Sequence, residues 1–359
     1  MSPTRRSRRT PFSTAALAAV LVAACGGASE GESGDEGASE ATFRAALLTS
    51  GPVSDAGWYA GAYEGLLLIQ DSLGAEVRHQ QTRTPSEFDE AFLSFAQAGY
   101  DVVFAHGNEY QDAAIRAGDL FPELTIVVSG GGRVSDNVIP LVFNLEEASY
   151  LAGMVAGGLS RSGTVGMVGG VAIPPAQGTF MGFAAGAAAV NPDVRVLETF
   201  IGNWNDVAAA KEATVAQLRQ GADVIIHNTD AASFGVFQAV REAVDAGDEV
   251  WAMGMNRNQN DVAPEVILGS AAIDIPSAFL AVARSWQAGE LVGQPVFAGA
   301  ADGVVDLIVN PALQDRIPPE LQARVRAARD SVIAGTLDVP RVPFVEGQDP
   351  NGIEVVGSR

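Results

Sequence analysis

Two stretches of the chain follow one plan. "FAQAGYDVVFAHGNEYQDAA" (95–114) and "LRQGADVIIHNTDAASFG" (218–235) each leave a helix through a glycine, Gly99 or Gly221, and enter an apolar strand opened by Asp. Each strand ends in His, and a polar turn holding Asn and an acid leads into the next helix. A glycine in that place terminates a helix because it adopts the left-handed backbone without a side-chain penalty. The same βα unit met twice, about 120 residues apart, predicts two similar α/β lobes. It also restricts where a ligand can sit, since open parallel sheets bind beyond the carboxyl ends of their strands.

The remaining chain fits that scheme. Apolar runs at 43–49, 101–105, 124–128, 138–143, 163–168, 194–200, 222–227, 249–254, 266–270 and 303–309 read as strands. Helical patterns at 57–72, 86–98, 146–160, 205–220, 231–246, 274–289 and 318–335 separate many of them. Such alternation indicates βαβ units and parallel sheets, and the nearly continuous apolar strands indicate helices on both faces. The fold class is therefore α/β, with parallel sheets flanked by helices and a ligand cleft between the lobes.

The N-terminus carries a separate message. Arg5, Arg6, Arg8 and Arg9 precede a short apolar segment, Ser13–Ala24, which ends in Val22-Ala23-Ala24-Cys25. That segment is too short to span a bilayer and reads as an export signal, residues 1–24. The small residues before the cysteine resemble a bacterial lipobox, so Cys25 is expected to carry lipid and to anchor the exported protein to the outer face of the cell membrane. It is the only cysteine, which excludes a disulfide framework or a Cys-based metal site. "GGASEGESGDEGASEA" follows, too polar to bury a core, and makes 25–41 a flexible acidic linker. With 43 acidic against 22 basic residues, nucleic acid is not an expected partner.

Five strand ends carry polar or aromatic turns: "SDAGWYAGAYEG" after 43–49, Gly107-Asn108-Glu109, "GNWND" (202–206), Asn228-Thr229-Asp230 and "GMNRNQ" (254–259). Catalytic machinery does not accompany them. There is no Gly-x-Ser-x-Gly elbow, "SGGGR" (129–133) lacks the spacing of a dinucleotide fingerprint, and His79, His106 and His227 read as structural residues without metal-ligand spacing. Neither enzyme activity nor a cofactor or metal is expected. Binding suits the residues better. Trp58, Tyr59, Tyr110 and Trp204 occupy strand-to-helix turns, where flat rings sandwich a planar heterocycle or a sugar face. Glu109, Asp230 and Asn256 supply in-plane hydrogen-bonding groups.

Longer stretches resemble a known family. "SDAGWYAGAYEG", "GNEYQDAA", "EEASYLAGMVAGGLSRSGTVGMVGG", "GFAAGAAAVNPDVRV", "GNWNDVAAAKEATVAQLRQGADVI" and "VAPEVILGSA" resemble the basic membrane protein (BMP) lipoproteins, which include PnrA-like purine-nucleoside-binding proteins. The resemblance runs from about 43 to 310. It implies a type I periplasmic-binding-protein fold of two lobes, with ligand delivery to an ABC transporter permease. Lobe 1 is then expected to hold 43–145 plus about 260–300, lobe 2 about 146–255 plus 303–345, and 346–359 to form a tail. In the first loop Asp55 and Trp58 match the family, while Tyr59 replaces its usual Asn; in the second, Gly107, Asp112 and Ala113 match. The implied ligand is a purine base or nucleoside, stacked by Trp58 and Trp204 with Tyr59 at its edge. Glu109, Asp230, Asn108 and Asn256 would read its polar rim, and Asp55 belongs to the same set. Nucleoside binders of the family carry acids where Asn256 and Asn258 stand here, which makes a free base as plausible as a nucleoside. A sugar in the same cleft, or a ligand-sensing receptor role, remain the alternatives, and a monomer is expected.

Overall fold

Gly99 and Gly221 take φ angles of +72° and +96°, the left-handed geometry that ends each helix ahead of its strand. The two Asp residues that follow also act alike. Asp101 accepts a hydrogen bond from the Arg44 amide (2.7 Å), and Asp223 accepts from the amides of Arg161 and Ser162 (2.7 and 2.8 Å). Each carboxylate thus fixes the leading end of the neighbouring strand, and the duplicated plan is a duplicated structure. These features come from a computed structural model, which describes residues 42–347. The export signal, Cys25, the linker to residue 41 and the tail from residue 348 lie outside the described residues.

In chain order the elements are β1 (Arg44–Thr49), α1 (Trp58–Leu73), β2 (Glu76–Gln81), α2 (Pro85–Gln97), β3 (Val102–His106), α3 (Gln111–Leu120), β4 (Thr125–Ser129) and β5 (Val138–Phe143). They continue with α4 (Leu145–Leu159), β6 (Thr164–Gly169), α5 (Pro174–Val190), β7 (Arg195–Phe200), α6 (Val207–Arg219), β8 (Val224–Asn228) and α7 (Ser233–Asp245). The last are β9 (Trp251–Asn256), β10 (Ile267–Ile273), α8 (Ile275–Gln287), β11 (Val296–Ala298), β12 (Val305–Val309) and α9 (Pro319–Ile333). Local chemistry starts several of the helices. Thr84, Asp206 and Asp274 accept hydrogen bonds from first-turn amides of α2, α6 and α8, satisfying donors that have no partner inside a helix.

The strands form two six-stranded sheets, ordered β11-β5-β4-β3-β1-β2 and β12-β10-β9-β8-β6-β7. All pairs are parallel except β10 with β12. Helices flank both sheets, giving a two-lobed α/β fold. Between α4 and α5 the backbones touch. A Cβ added to Gly153 would lie 2.0 Å from the Phe183 carbonyl oxygen, and one on Gly186 would lie 1.9 Å from that of Tyr150. The glycines of "YLAGMVAG" and "GFAAGA" are the condition for that approach.

The lobe boundaries differ from the sequence expectation in two places. Residues 267–273 form β10, which pairs with β9 in the second sheet, so of the stretch 260–300 only the part from α8 to β11 belongs to the first lobe. The physical reason is packing on both sides. β10 is buried beside β9, whereas α8 stacks Phe279 on Phe104 (4.4 Å between centroids) and donates from Trp286 Nε1 to Thr125 Oγ1 (3.0 Å). The second difference is the end of the described chain. After α9 it crosses back to the first lobe, where the Glu346 amide donates to the Gly132 carbonyl (2.7 Å). The three earlier crossings are tied to one another: Asn144 N donates to Ala298 O (3.0 Å), Asp274 N to Val304 O (2.7 Å) and Ala300 N to Glu147 Oε2 (2.7 Å).

Candidate ligand-binding site

The carboxyl ends of the strands of both sheets meet around one cleft, whose space together with the open solvent at its mouth is about 690 Å³. Trp58, Tyr59, Asn108, Glu109, Trp204, Asp230 and Asn256 all line it. Asp55 does not. It is buried under the start of α1, where Oδ1 accepts from the amides of Gly57 and Ala60 and Oδ2 from that of Tyr59 (3.1, 2.9 and 2.9 Å). Buried and turned to three amides of the helix start, this carboxylate does not open onto the cleft. Asp55 instead holds the turn that presents Trp58 and Tyr59.

Each aromatic ring has a specific support. Trp58 stacks on His106, 3.8 Å between centroids and 26° between planes, and meets Phe143 edge-on at 5.8 Å. Burial lowers the His106 pKa to about 3, so the ring is a neutral platform whose Nε2 faces the Trp58 carbonyl at 3.1 Å. Trp204 lies against Gly170, where an added Cβ would come within 2.1 Å of the indole. Tyr59 covers Gly51 in the same way, at 2.2 Å. Its hydroxyl donates to Ser50 Oγ (2.8 Å), and Ser50 donates onward to Glu109 Oε1.

The ionisable carboxyl and amine-type groups of the lining are of one sign, acidic. Neither Lys, Arg nor His is among the residues lining the cleft, whereas Glu109 and Asp230 are. The Glu109 carboxyl opens onto the cleft but is crowded by protein, and the resulting desolvation pushes its pKa up against the pull of Ser50. Asp230 is buried and shifted well upward, first by burial and then by the charges of Asp55 and Glu109. Asn256 takes φ +67°, a left-handed angle uncommon outside glycine, and sets its Nδ2 3.5 Å from Asp230 Oδ1. Burial holds the Tyr59 hydroxyl in its neutral form. A site of this kind attracts N–H or O–H donors and repels anions.

Sequence reasoning missed part of the wall. Ile173, Pro175, Ala176 and Thr179 reach the cleft from the turn after β6 and the start of α5, and Thr179 Oγ1 accepts from Asn228 Nδ2 (3.0 Å). Ser129 ends β4 and Gly130 follows it, in the stretch set aside for lacking the spacing of a dinucleotide fingerprint. The strand-end rule that found the other loops also points to these two. Phe344, from the returning segment, carried no such signal. The three histidines are structural: His227 bonds Gln259 Oε1 (2.8 Å) and His79 bonds Thr49 Oγ1 (2.9 Å). No cluster able to hold a metal ion exists among the described residues, and none of their helices is long and apolar enough to cross a membrane.

Comparison with known proteins adds to this geometry. Residues 42–340 match the Bmp family model, described as ABC transporter substrate-binding protein PnrA-like. The nucleoside-binding protein BmpA of Lactococcus lactis is 26% identical over 93% of this chain and 99% of its own. A purine-binding protein of Brucella abortus is 24% identical over 83% and 85%. Among solved structures, an ABC transporter solute-binding protein from Aeropyrum pernix superposes with a TM-score of 0.76 at 19% identity, covering 84% of this chain and 94% of its own. That last likeness speaks for the fold.

Proposed function

Because the chain belongs to the Bmp family of PnrA-like ABC transporter substrate-binding proteins, an extracytoplasmic family that binds solutes for a permease and is not enzymatic, we propose that its cleft binds a purine base or nucleoside. The observation that carries this reading is the lining itself. Two half-buried indoles, one from each lobe, accompany two carboxylates and no cationic side chain. Purine rings offer flat faces to the indoles and N–H donors to Glu109 and Asp230, and they carry no charge for the acids to repel. Nucleotides are disfavoured, since a phosphate would meet two acids in a desolvated site. The names of the Brucella and Lactococcus relatives point the same way.

Asn256 bears on base against nucleoside; Asn258, paired with it in the sequence, is exposed and does not line the cleft. A neutral amide bonds a ribose hydroxyl without the strength of a charged acceptor, which favours the free base. Lipid at Cys25 would tether the folded lobes to the membrane through the acidic linker, and closure of the lobes on the ligand would present them to the permease.

A thermal-shift panel of adenine, hypoxanthine, guanine, adenosine, inosine, guanosine, AMP, glucose and ribose tests the assignment. A ligand at a hundred times its dissociation constant adds about 2.7 kcal/mol to stability, several degrees in melting temperature. Shifts with bases or nucleosides and none with AMP support the reading. A shift with glucose or ribose alone replaces it with a sugar site, to which stacked rings and carboxylates also lend themselves. No shift after unfolding and refolding to strip bound ligand removes the purine assignment.

A further inference from the structure

The segment after α9 is a fourth inter-lobe crossing, and like the crossings flanked by Leu145 and Ile273 it places a side chain in the cleft. Its first half is held to the second lobe. Val339 is buried, Arg341 lies 3.6 Å from Glu146 and 3.8 Å from Glu147 at the head of α4, and the Val342 amide passes close over Gly178 of α5. Its second half is held to the first lobe. Besides the bond from the Glu346 amide to Gly132, Glu346 accepts from the Val134 amide (3.2 Å) and faces Arg133 at 3.6 Å. Gly132 is required there, because an added Cβ would lie 2.2 Å from the Phe344 carbonyl oxygen. Between the two anchorages Phe344 lines the cleft, in company with Gly130, Ile173 and Pro175.

We propose that residues 338–347 are a built-in wall of the binding site, and that Phe344 is a specificity-determining residue that limits the substituent a bound ring carries on that flank. The inference rests on the reading of the cleft as the ligand site. Phe344 stands past residue 340, where the family match ends. A benzyl side chain offers no hydrogen bond. A hydroxylated substituent directed at it loses its water and gains no partner. A compact ring without that substituent loses nothing.

Affinities for adenine, adenosine, hypoxanthine and inosine, measured by calorimetry on wild type, F344A, F344L and G132A, test this. F344A should raise the nucleoside-to-base affinity ratio at least tenfold, and F344L should stay within threefold of wild type. G132A, which pushes the segment away through its carbonyl, should move the ratio in the same direction as F344A. A merely structural Phe344 would lower both affinities together and leave the ratio unchanged, and that result overturns the proposal. The segment itself is read without ligand. Trypsin should cut after Arg341 at least tenfold faster in G132A than in wild type, and equal rates refute the anchored wall. If wild type binds no purine at all, the purine assignment fails on its own, and the trypsin comparison still decides whether the wall exists.

Discussion

Trp204 rests on the bare backbone of Gly170, and that single hydrogen in place of a methyl group decides where one indole of the cleft can stand. In G170A the Cβ would need the space of the ring, which is partly exposed and free to swing outward. Affinity should therefore fall by tenfold or more while the unfolding midpoint moves little, and calorimetry with urea denaturation separates the two. Equal affinity in G170A would remove Trp204 from the site. Glu109 makes a different prediction. A hydrogen bond to a charged acceptor contributes about 1.5–3 kcal/mol, so E109Q should weaken a ligand that donates an N–H by about tenfold to a hundredfold. Crowding has already raised the pKa of this carboxyl, so the acceptor is lost early on acidification. Wild-type affinity should fall between pH 7 and pH 4, and the E109Q profile over that interval should be flatter. Parallel profiles would mean that Glu109 does not face the ligand.

At the scale of elements, α4 and α5 show what the glycines are for. Gly→Ala inside a helix ordinarily gains about 0.5–1 kcal/mol. At Gly153 or Gly186 the new methyl would meet a neighbouring carbonyl oxygen at 2.0 or 1.9 Å, and backbone cannot rotate aside as a side chain does. Overpacking of about 1–3 kcal/mol or more should outweigh the gain. G153A and G186A should each lower the urea midpoint, whereas an alanine at Gly163, where φ is +71° but nothing lies within 4 Å, tests backbone strain alone. The same elements show how far the sequence could be read. Strands buried on both faces announced themselves by continuous apolar runs. β2, "EVRHQQ", did not, because it lies at the sheet edge with alternate residues exposed. Nor did α5, whose alanines and glycines give almost no amphipathic contrast. β10 was recognisable as a strand but not by lobe, since that depends on its partner and not on its own residues. The binding loops were legible because strand ends concentrate polar and aromatic residues. Asp55 looked like a member because it matches the family's first loop, and only the amides around it reveal that its carboxylate serves the start of α1. Phe344 was hidden because a lone aromatic in a proline-rich tail has no period and no motif.

For the whole molecule, the question is what sets the balance between open and closed lobes. Two direct contacts join the lobes outside the cleft lining: Arg257 to Glu64 at 2.6 Å, an exposed pair beside the crossing at Asp274, and Gln259 Nε2 to the Ala56 carbonyl at 3.5 Å. An exposed ion pair contributes about 0–1 kcal/mol, so R257A should change affinity less than about fivefold, leaving closure to the ligand and the hinge. The hinge holds the more consequential charge. Glu146, at the head of α4 beside the first crossing, is pushed up to about 7 by burial in spite of Arg341, and Glu147 shifts in the same direction. A carboxyl whose pKa is higher folded than unfolded binds more protons in the folded state. Stability is then greatest below the ordinary value of 4.5, declines as pH rises toward about 7, and levels off beyond. E146Q removes that decline at one position while Glu147 still faces Arg341. Relative to wild type, the variant should gain stability between pH 5 and pH 8, visible as melting curves that diverge with rising pH. Curves that stay parallel over that range would show that Glu146 titrates like an exposed carboxyl.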